Sequence, residues 1–121
     1  MAVNRNFKIY QGSTFTKTVK FCDSSYQPID ISLWTFLGQI RTRYDALSVV
    51  ESFNFTNGGA TGELTFYLSA TETAAIPVDA SVNVNKRETD YCYDIEYTKP
   101  DTTVKRFYEG IISVSPEVSK V

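Results

Sequence analysis

This sequence contains a series of short segments in which apolar and polar residues alternate, each ended by turn residues. Residues 62–68, for example, place Leu64, Phe66 and Leu68 on one face and polar or amphipathic side chains on the other. This period of two is typical of half-buried β-strands. The segments predicted as strands are 7–10, 14–21, 34–44, 49–55, 62–68, 91–99 and 104–115, with a short piece at 29–31.

Composition favours the same conclusion. The chain of 121 residues has 11 Val, 8 Ile and 14 Thr, against 5 Leu and 1 Met. Branched side chains fit a pleated surface and lose rotamer freedom in a helix. We therefore predict a single all-β domain over residues 1–121, an immunoglobulin-like two-sheet β-sandwich.

One segment, residues 69–76, departs from the alternation. Ser69 and Glu72 have the spacing of a capping box, in which each side chain accepts a hydrogen bond from the other residue's backbone N–H. Pro77 follows and cannot continue a helix. The segment is predicted as one short helical turn between two strands.

The alternation also predicts which side chains are buried. We expect the inward faces of the strands to form the core, with Tyr91 on the same side as this set: Trp34, Phe36, Ile40, Leu64, Phe66, Tyr93, Ile95, Ile112 and Val114. In the last strand, Val104, Tyr108 and Gly110 are expected to share the face of Ile112 and Val114. Five other aromatic residues are predicted to face outward: Tyr26, Phe53, Phe55, Tyr67 and Phe107. Outward aromatics favour a partner surface, a sugar site, or merely scattered surface positions.

The two cysteines lie at spacings that resemble an immunoglobulin disulfide, with Trp34 between Cys22 and Cys92. Alternation, however, places each cysteine on the face opposite its neighbouring core residues, whereas an inter-sheet bridge needs both on the core face. We therefore predict two reduced thiols.

The chain contains no histidine, which removes the commonest metal ligand and the usual general base. Three acidic residues form a cluster on adjacent predicted strands: Asp94, Glu96 and Glu109. Such carboxylates could act as a glycosidase pair if they lined a cleft at a defined separation, or bind calcium if they lay in a loop with the required spacing. We expect them instead on a solvated face, paired with Arg41 and Arg43. We predict no catalytic residues, no metal site and no cofactor.

The net charge of −2 disfavours nucleic-acid binding, which relies on neutralising phosphates. No secretory signal and no membrane-spanning stretch is evident, so we expect synthesis in a cytoplasm and no membrane partner. The terminal segments 1–6 and 116–121 have few apolar residues, and we expect another chain to order one or both.

Several segments, taken in order, resemble a family of small phage tail and baseplate proteins. The matching segments are 6–15 (NFKIYQGSTF), 28–31 (PIDI), 38–41 (GQIR), 62–74 (GELTFYLSATETA), 93–96 (YDIE) and 109–118 (EGIISVSPEV). The resemblance implies an immunoglobulin-like sandwich in the virion, at a tail tip, as an upper baseplate or fibre-attachment module. It implies other virion proteins and further copies of the chain as partners, assembly after synthesis in the host bacterial cytoplasm, and no catalytic residues.

One segment departs from that family. Residues 78–90 intervene where relatives have a short connection, and Val82 and Val84 alternate with polar residues, which predicts an added strand followed by a solvated tip at 86–90. The position in the virion therefore stays open between the tail and a head-decoration or neck role. Two other hypotheses are a carbohydrate-binding sandwich that recognises a host surface and, with least support, a small hydrolase.

Overall fold

The computed structural model describes residues 2–78 and 88–117 as two packed β-sheets. The predicted all-β, two-sheet sandwich is confirmed. The strands are β1 Val3–Asn4, β2 Phe7–Tyr10, β3 Phe15–Lys20, β4 Thr35–Arg41, β5 Glu51–Ser52, β6 Asn54–Asn57, β7 Glu63–Leu68, β8 Thr89–Thr98 and β9 Val104–Ser115. A 3-10 turn at Gly59–Thr61 and the helix α1 at Ala70–Ala74 complete the described elements.

The larger sheet has the strand order β1-β9-β8-β4-β5, with β2 also paired to β9, and the smaller sheet has the order β3-β7-β6. The chain passes between the two sheets four times, and two of these passages join outer strands on opposite sides of the sandwich. On one side β2 leads into β3 through residues 11–14, and on the other β5 leads into β6 through Phe53. The strand order makes β3 and β6 the outer strands of the smaller sheet.

The predicted strand at residues 49–55 is two strands that belong to different sheets. Glu51 pairs with Ile40 in the larger sheet, whereas Phe55 pairs with Phe66 in the smaller one. Between them the Phe53 N–H donates to the Gly38 carbonyl at 2.9 Å. Phe53 is only 5% exposed and Phe55 packs against the core, so their predicted outward orientation is wrong. Alternation shows which residues of a strand share a face, but the pairing of that strand with its neighbours determines which of the two faces is buried.

Most of the predicted core is confirmed, since Ile40, Leu64, Phe66, Tyr91, Tyr93, Ile95, Ile112 and Val114 are buried. Trp34 and Phe36 are only half-buried, contrary to the prediction. Trp34 precedes β4 and stacks on Tyr97, with ring centroids 4.5 Å apart. It belongs to an aromatic cluster whose members are all half-buried, namely Phe21, Trp34, Phe36, Tyr97 and Phe107. Of the remaining predicted outward residues, Tyr26 is exposed, while Tyr67 and Phe107 are half-buried.

A β-bulge in β9 corrects the predicted face of its first residues. Ile95 pairs with Tyr108, but the next residue of β8, Glu96, pairs with Arg106, so Phe107 is an extra residue. The extra residue reverses the alternation. Val104 consequently lies on the outer face and is 54% exposed, instead of sharing the core face with Ile112.

The predicted capping box of α1 is confirmed. The Ser69 hydroxyl accepts a hydrogen bond from the Glu72 N–H at 3.1 Å, and the Glu72 carboxylate accepts one from the Ser69 N–H at 2.8 Å. This second bond lowers the pKa of Glu72 because it stabilises the ionised form. Asn54 donates to the same carboxylate at 2.7 Å, which ties the helix start to β6.

The N-terminal segment pairs with its own chain, so of the two ends that a partner was expected to order, this one does not need a partner. Val3 and Asn4 pair in parallel with Tyr108 and Glu109. The Arg5 carbonyl accepts a hydrogen bond from the Tyr93 hydroxyl at 2.5 Å. The end of the other terminal segment, residues 118–121, lies outside the described residues.

The predicted added strand around Val82 and Val84, and the first two residues of the predicted tip at 86–90, lie outside the described residues. Its last two residues, Thr89 and Asp90, are already part of β8 and therefore do not belong to a solvated tip. Glu88 forms an ion pair with Lys8 at 3.0 Å.

Candidate functional site

A shallow depression of about 70 Å³ lies on the outer face of the larger sheet. Its floor is a block of side chains from β4 and β8, because Gln39 pairs with Asp94 and Arg41 with Cys92. Tyr44, from the loop that follows β4, borders it. The depression therefore combines a cation, a carboxylate, an amide and an aromatic ring within a small area.

Arg41 is held in one orientation by its own loop. Its Nη1 donates to the Ala46 carbonyl at 2.9 Å, and its Nη2 donates to the Gln39 side-chain oxygen at 2.9 Å. The Ala46 N–H in turn bonds to the Arg43 carbonyl at 3.1 Å, which closes a turn within residues 42–50. The half-buried guanidinium of Arg41 thus anchors the loop to the sheet.

The carboxylates Asp94, Glu96 and Glu109 share the outer face, as predicted, but their predicted pairing with Arg41 and Arg43 is wrong. Asp94 and Glu109 both interact with Arg106, at 3.3 Å and 3.6 Å. Arg43 pairs with Asp45 at 2.8 Å. The bulge at Phe107 places Arg106 on the outer face opposite Glu96 and next to the other two carboxylates. Arg106 of β9 therefore forms the ion pairs that the sequence analysis predicted for Arg41 and Arg43.

The two cysteines are free thiols, as predicted. Cys22 is exposed, whereas Cys92 is buried beneath the outer face, and its thiol donates to the Arg41 carbonyl at 3.4 Å. Burial raises the pKa of the Cys92 thiol, because the thiolate would lose its hydration. Cys92 therefore helps to hold β8 against β4 and stays protonated at neutral pH.

We expect this difference to appear as selective alkylation. Iodoacetamide added to the folded protein without reductant should label Cys22 rapidly and Cys92 only after denaturation, because the thiolate is the reactive form. Intact-mass measurement should give one adduct for the folded protein and two for the denatured protein. A mass without any adduct under denaturing conditions would instead demonstrate a disulfide.

The loop of residues 42–50, here called the contact loop, presents apolar side chains to water. Tyr44 is 73% exposed, Leu47 98% exposed and Val49 38% exposed. The hydrogen bonds of Arg41 fix the base of this loop, so these side chains project from an anchored segment. The residue pattern did not single out Tyr44 or Leu47, because Tyr44 fell within the predicted strand 34–44 and Leu47 within the short gap before the predicted strand 49–55. Apolar residues in the short gap between those strands were the available signal.

A second exposed feature is the outer edge of β3. In the ladder between β3 and β7, the Phe21 N–H bonds to the Gly62 carbonyl at 2.8 Å, and these residues lie directly opposite each other in the register of the two strands. Because hydrogen-bonded positions alternate along an antiparallel ladder, Phe15, Lys17 and Val19 also bond toward β7. The backbone groups of Thr16, Thr18 and Lys20 therefore point away from the sheet.

In the described ranges, 2–78 and 88–117, no group of three or more Cys, Asp or Glu residues is placed to hold a metal ion. No helix in that part of the chain is long and apolar enough to cross a membrane.

Comparisons with known proteins do not assign this chain to a family. No protein-family model matches the sequence, and no curated protein matches it. Among solved structures, a family 123 glycoside hydrolase from Clostridium perfringens, described in connection with glycolipid glycan hydrolysis, aligns with a TM-score of 0.34 and 13% identity. The alignment covers 98% of this chain and 24% of that enzyme, so this chain spans about a quarter of the enzyme's length.

Proposed function

We propose that this chain is a structural component of a bacteriophage virion, a tail, baseplate or fibre-attachment subunit that acts through protein–protein contacts. The ordered sequence segments that resemble small phage tail and baseplate proteins support this proposal. The structural observation that carries it is the contact loop, with Leu47 and Tyr44 among the most exposed large side chains of the described residues.

The exposed apolar side chains of the contact loop do not contribute to the hydrophobic core. Leu47 is 98% exposed, so its apolar surface contributes nothing to the core. Aromatic and aliphatic side chains grouped on an anchored loop favour association, because removing apolar surface from water is favourable by about 25 cal/mol per square ångström before the entropic cost of association is subtracted. Arg41 keeps the loop in position before a partner arrives, which reduces the entropy lost on binding.

The proposal is tested on particles of the phage that encodes the chain. Quantitative mass spectrometry of purified particles should detect the chain at a fixed copy number. The double variant with Tyr44→Ser and Leu47→Ser should keep the melting temperature and be lost from particles by about tenfold or more, equivalent to about 1.4 kcal/mol.

Tyr26→Ser is the matched control, because Tyr26 is 87% exposed and lies in a different turn. This variant should enter particles normally. Absence of the wild-type chain from particles, together with binding of the isolated protein to a glycan array, would replace the proposal with the carbohydrate-binding alternative. Entry of the double variant at full copy number would show that the contact loop is not a contact surface.

A further inference from the structure

We propose that the outer edge of β3 accepts an extended segment of a partner protein as an added β-strand, with an acidic side chain of that segment facing Lys17. The inference rests on the proposed function for the identity of the partner, a neighbouring virion protein. It adds a second surface, on the side of the sandwich where β2 leads into β3, away from the contact loop beside β4 and β5.

The edge is long enough and open enough to pair. β3 runs for six residues, and its only strand partner among the described residues is β7. Thr16, Thr18 and Lys20 direct their N–H and C=O groups outward, and their side chains are exposed. Unpaired backbone groups in a row form a template for another strand, which gains a hydrogen-bond ladder without a change in the fold.

Lys17 determines which strand can pair. Its side chain points to the inner side of β3, because Lys17 pairs with the buried Phe66, and its ammonium lies 5.7 Å from the ring centre of Phe7 and 5.9 Å from that of Phe15. None of the ion pairs of the described residues involves Lys17. An inward-pointing lysine on an edge strand opposes pairing with most strands, since an apolar neighbour would desolvate the ammonium.

A carboxylate on the incoming strand removes that penalty. It would pair with the Lys17 ammonium at the open side of the sandwich, where Phe7 and Phe15 exclude part of the water and strengthen the interaction. Lys20 adds a second positive charge to the same strand. A second copy of β3 would bring its own lysines to this edge, so charge complementarity selects an acidic segment from another protein over self-association.

Amide hydrogen exchange of the isolated protein tests the open edge first. The amides of Thr16, Thr18 and Lys20 should exchange rapidly, whereas those of Lys17 and Val19 should be protected by β7. Equal protection of both sets in dilute protein would overturn the inference. Protection that appears only as the protein concentration rises, with a dimer in analytical ultracentrifugation, would identify a second copy as the occupant and equally overturn it.

The probe for strand addition is the blocked peptide acetyl-Thr-Val-Glu-Val-Thr-Val-amide, compared with the same peptide carrying Lys in place of Glu. The Glu peptide at millimolar concentration should slow exchange at Thr16, Thr18 and Lys20 by about tenfold, and the Lys peptide should have little effect. The variant Lys17→Glu should reverse this preference. Equal effects of both peptides, or no protection by either, would contradict the proposal.

The variant Thr18→Pro tests whether the outer edge of β3 is needed for assembly into particles. Proline removes an N–H that faces outward, so the fold should persist, as is usual for proline in edge strands. The variant should lose peptide binding and enter particles at least about tenfold less well, whereas Thr18→Val, which keeps the N–H, should behave as wild type. Entry of Thr18→Pro at full copy number would overturn the inference but leave the proposed function intact. Absence of the wild-type chain from particles, with peptide selectivity retained, would remove the proposed function alone.

Discussion

Replacing Phe66 by Ala should lower the free energy of unfolding by about 3–5 kcal/mol, the range for truncating a fully buried phenylalanine. Phe66 has no exposed surface, and it lies in β7 against aromatic rings from both sheets. Its ring centre is 5.5 Å from that of Phe53 and 6.1 Å from that of Tyr108. The substitution would remove both the apolar burial and the contacts that join the sheets, leaving a cavity that close-packed neighbours cannot fill.

Urea unfolding monitored by circular dichroism measures this change. Tyr26→Ala is the exposed control and should alter stability by less than about 0.5 kcal/mol. Phe53→Ala should resemble Phe66→Ala, because Phe53 is buried at the point where the chain changes sheet. A loss below about 1 kcal/mol for Phe66→Ala would mean that the assigned register of β7 is incorrect.

Gly110→Ala should lower the free energy of unfolding by an amount similar to that for Phe66→Ala, but through a steric clash and not through a cavity. A Cβ atom at this position would lie 2.3 Å from the Arg5 carbonyl oxygen and 2.8 Å from the Asn6 side-chain oxygen. The same Arg5 carbonyl accepts the hydroxyl of Tyr93, a residue of the core. The segment between β1 and β2 would have to leave β9, and we expect a loss of about 3 kcal/mol in the free energy of unfolding.

A double-mutant cycle isolates the cause of that loss. With residues 2–6 deleted, Gly110→Ala should cost less than about 1 kcal/mol, because the obstructing atoms are gone. Gly59→Ala is the control glycine, since its φ is +66° but the nearest atom to a Cβ is 3.6 Å away. Gly59→Ala should lower the free energy of unfolding by only about 1 kcal/mol, the cost of placing a residue with a Cβ atom at a positive φ. An equal effect of Gly110→Ala with and without the N-terminal segment would contradict the proposed clash.

The candidate surfaces were less accessible to sequence analysis than the fold. The outward position of Asp94, Glu96 and Glu109 follows from alternation alone, and it is confirmed. Arg106, which interacts with Asp94 and Glu109, reaches this face because of the bulge at Phe107, and no residue pattern predicted that bulge. The contact loop was hidden for a related reason, because the alternation near Tyr44 continues past the end of pairing at Arg41. The alternation of side chains along a segment does not show where the pairing of that strand with its neighbour ends.

Features that depend on residues close together in the chain could be predicted from the sequence. The strands Phe7–Tyr10 and Val104–Ser115 have the predicted bounds, and the capping box of Ser69 and Glu72 forms as predicted, because their turn and capping signals lie within a few residues. Three features could not be predicted from the sequence and follow from how the strands pair: the change of sheet at Phe53, the bulge at Phe107 and the pairing of Val3 and Asn4 with β9. Each of these depends on which strand lies alongside, and alternation gives the relative orientation of side chains within a strand but not the identity or register of its partner.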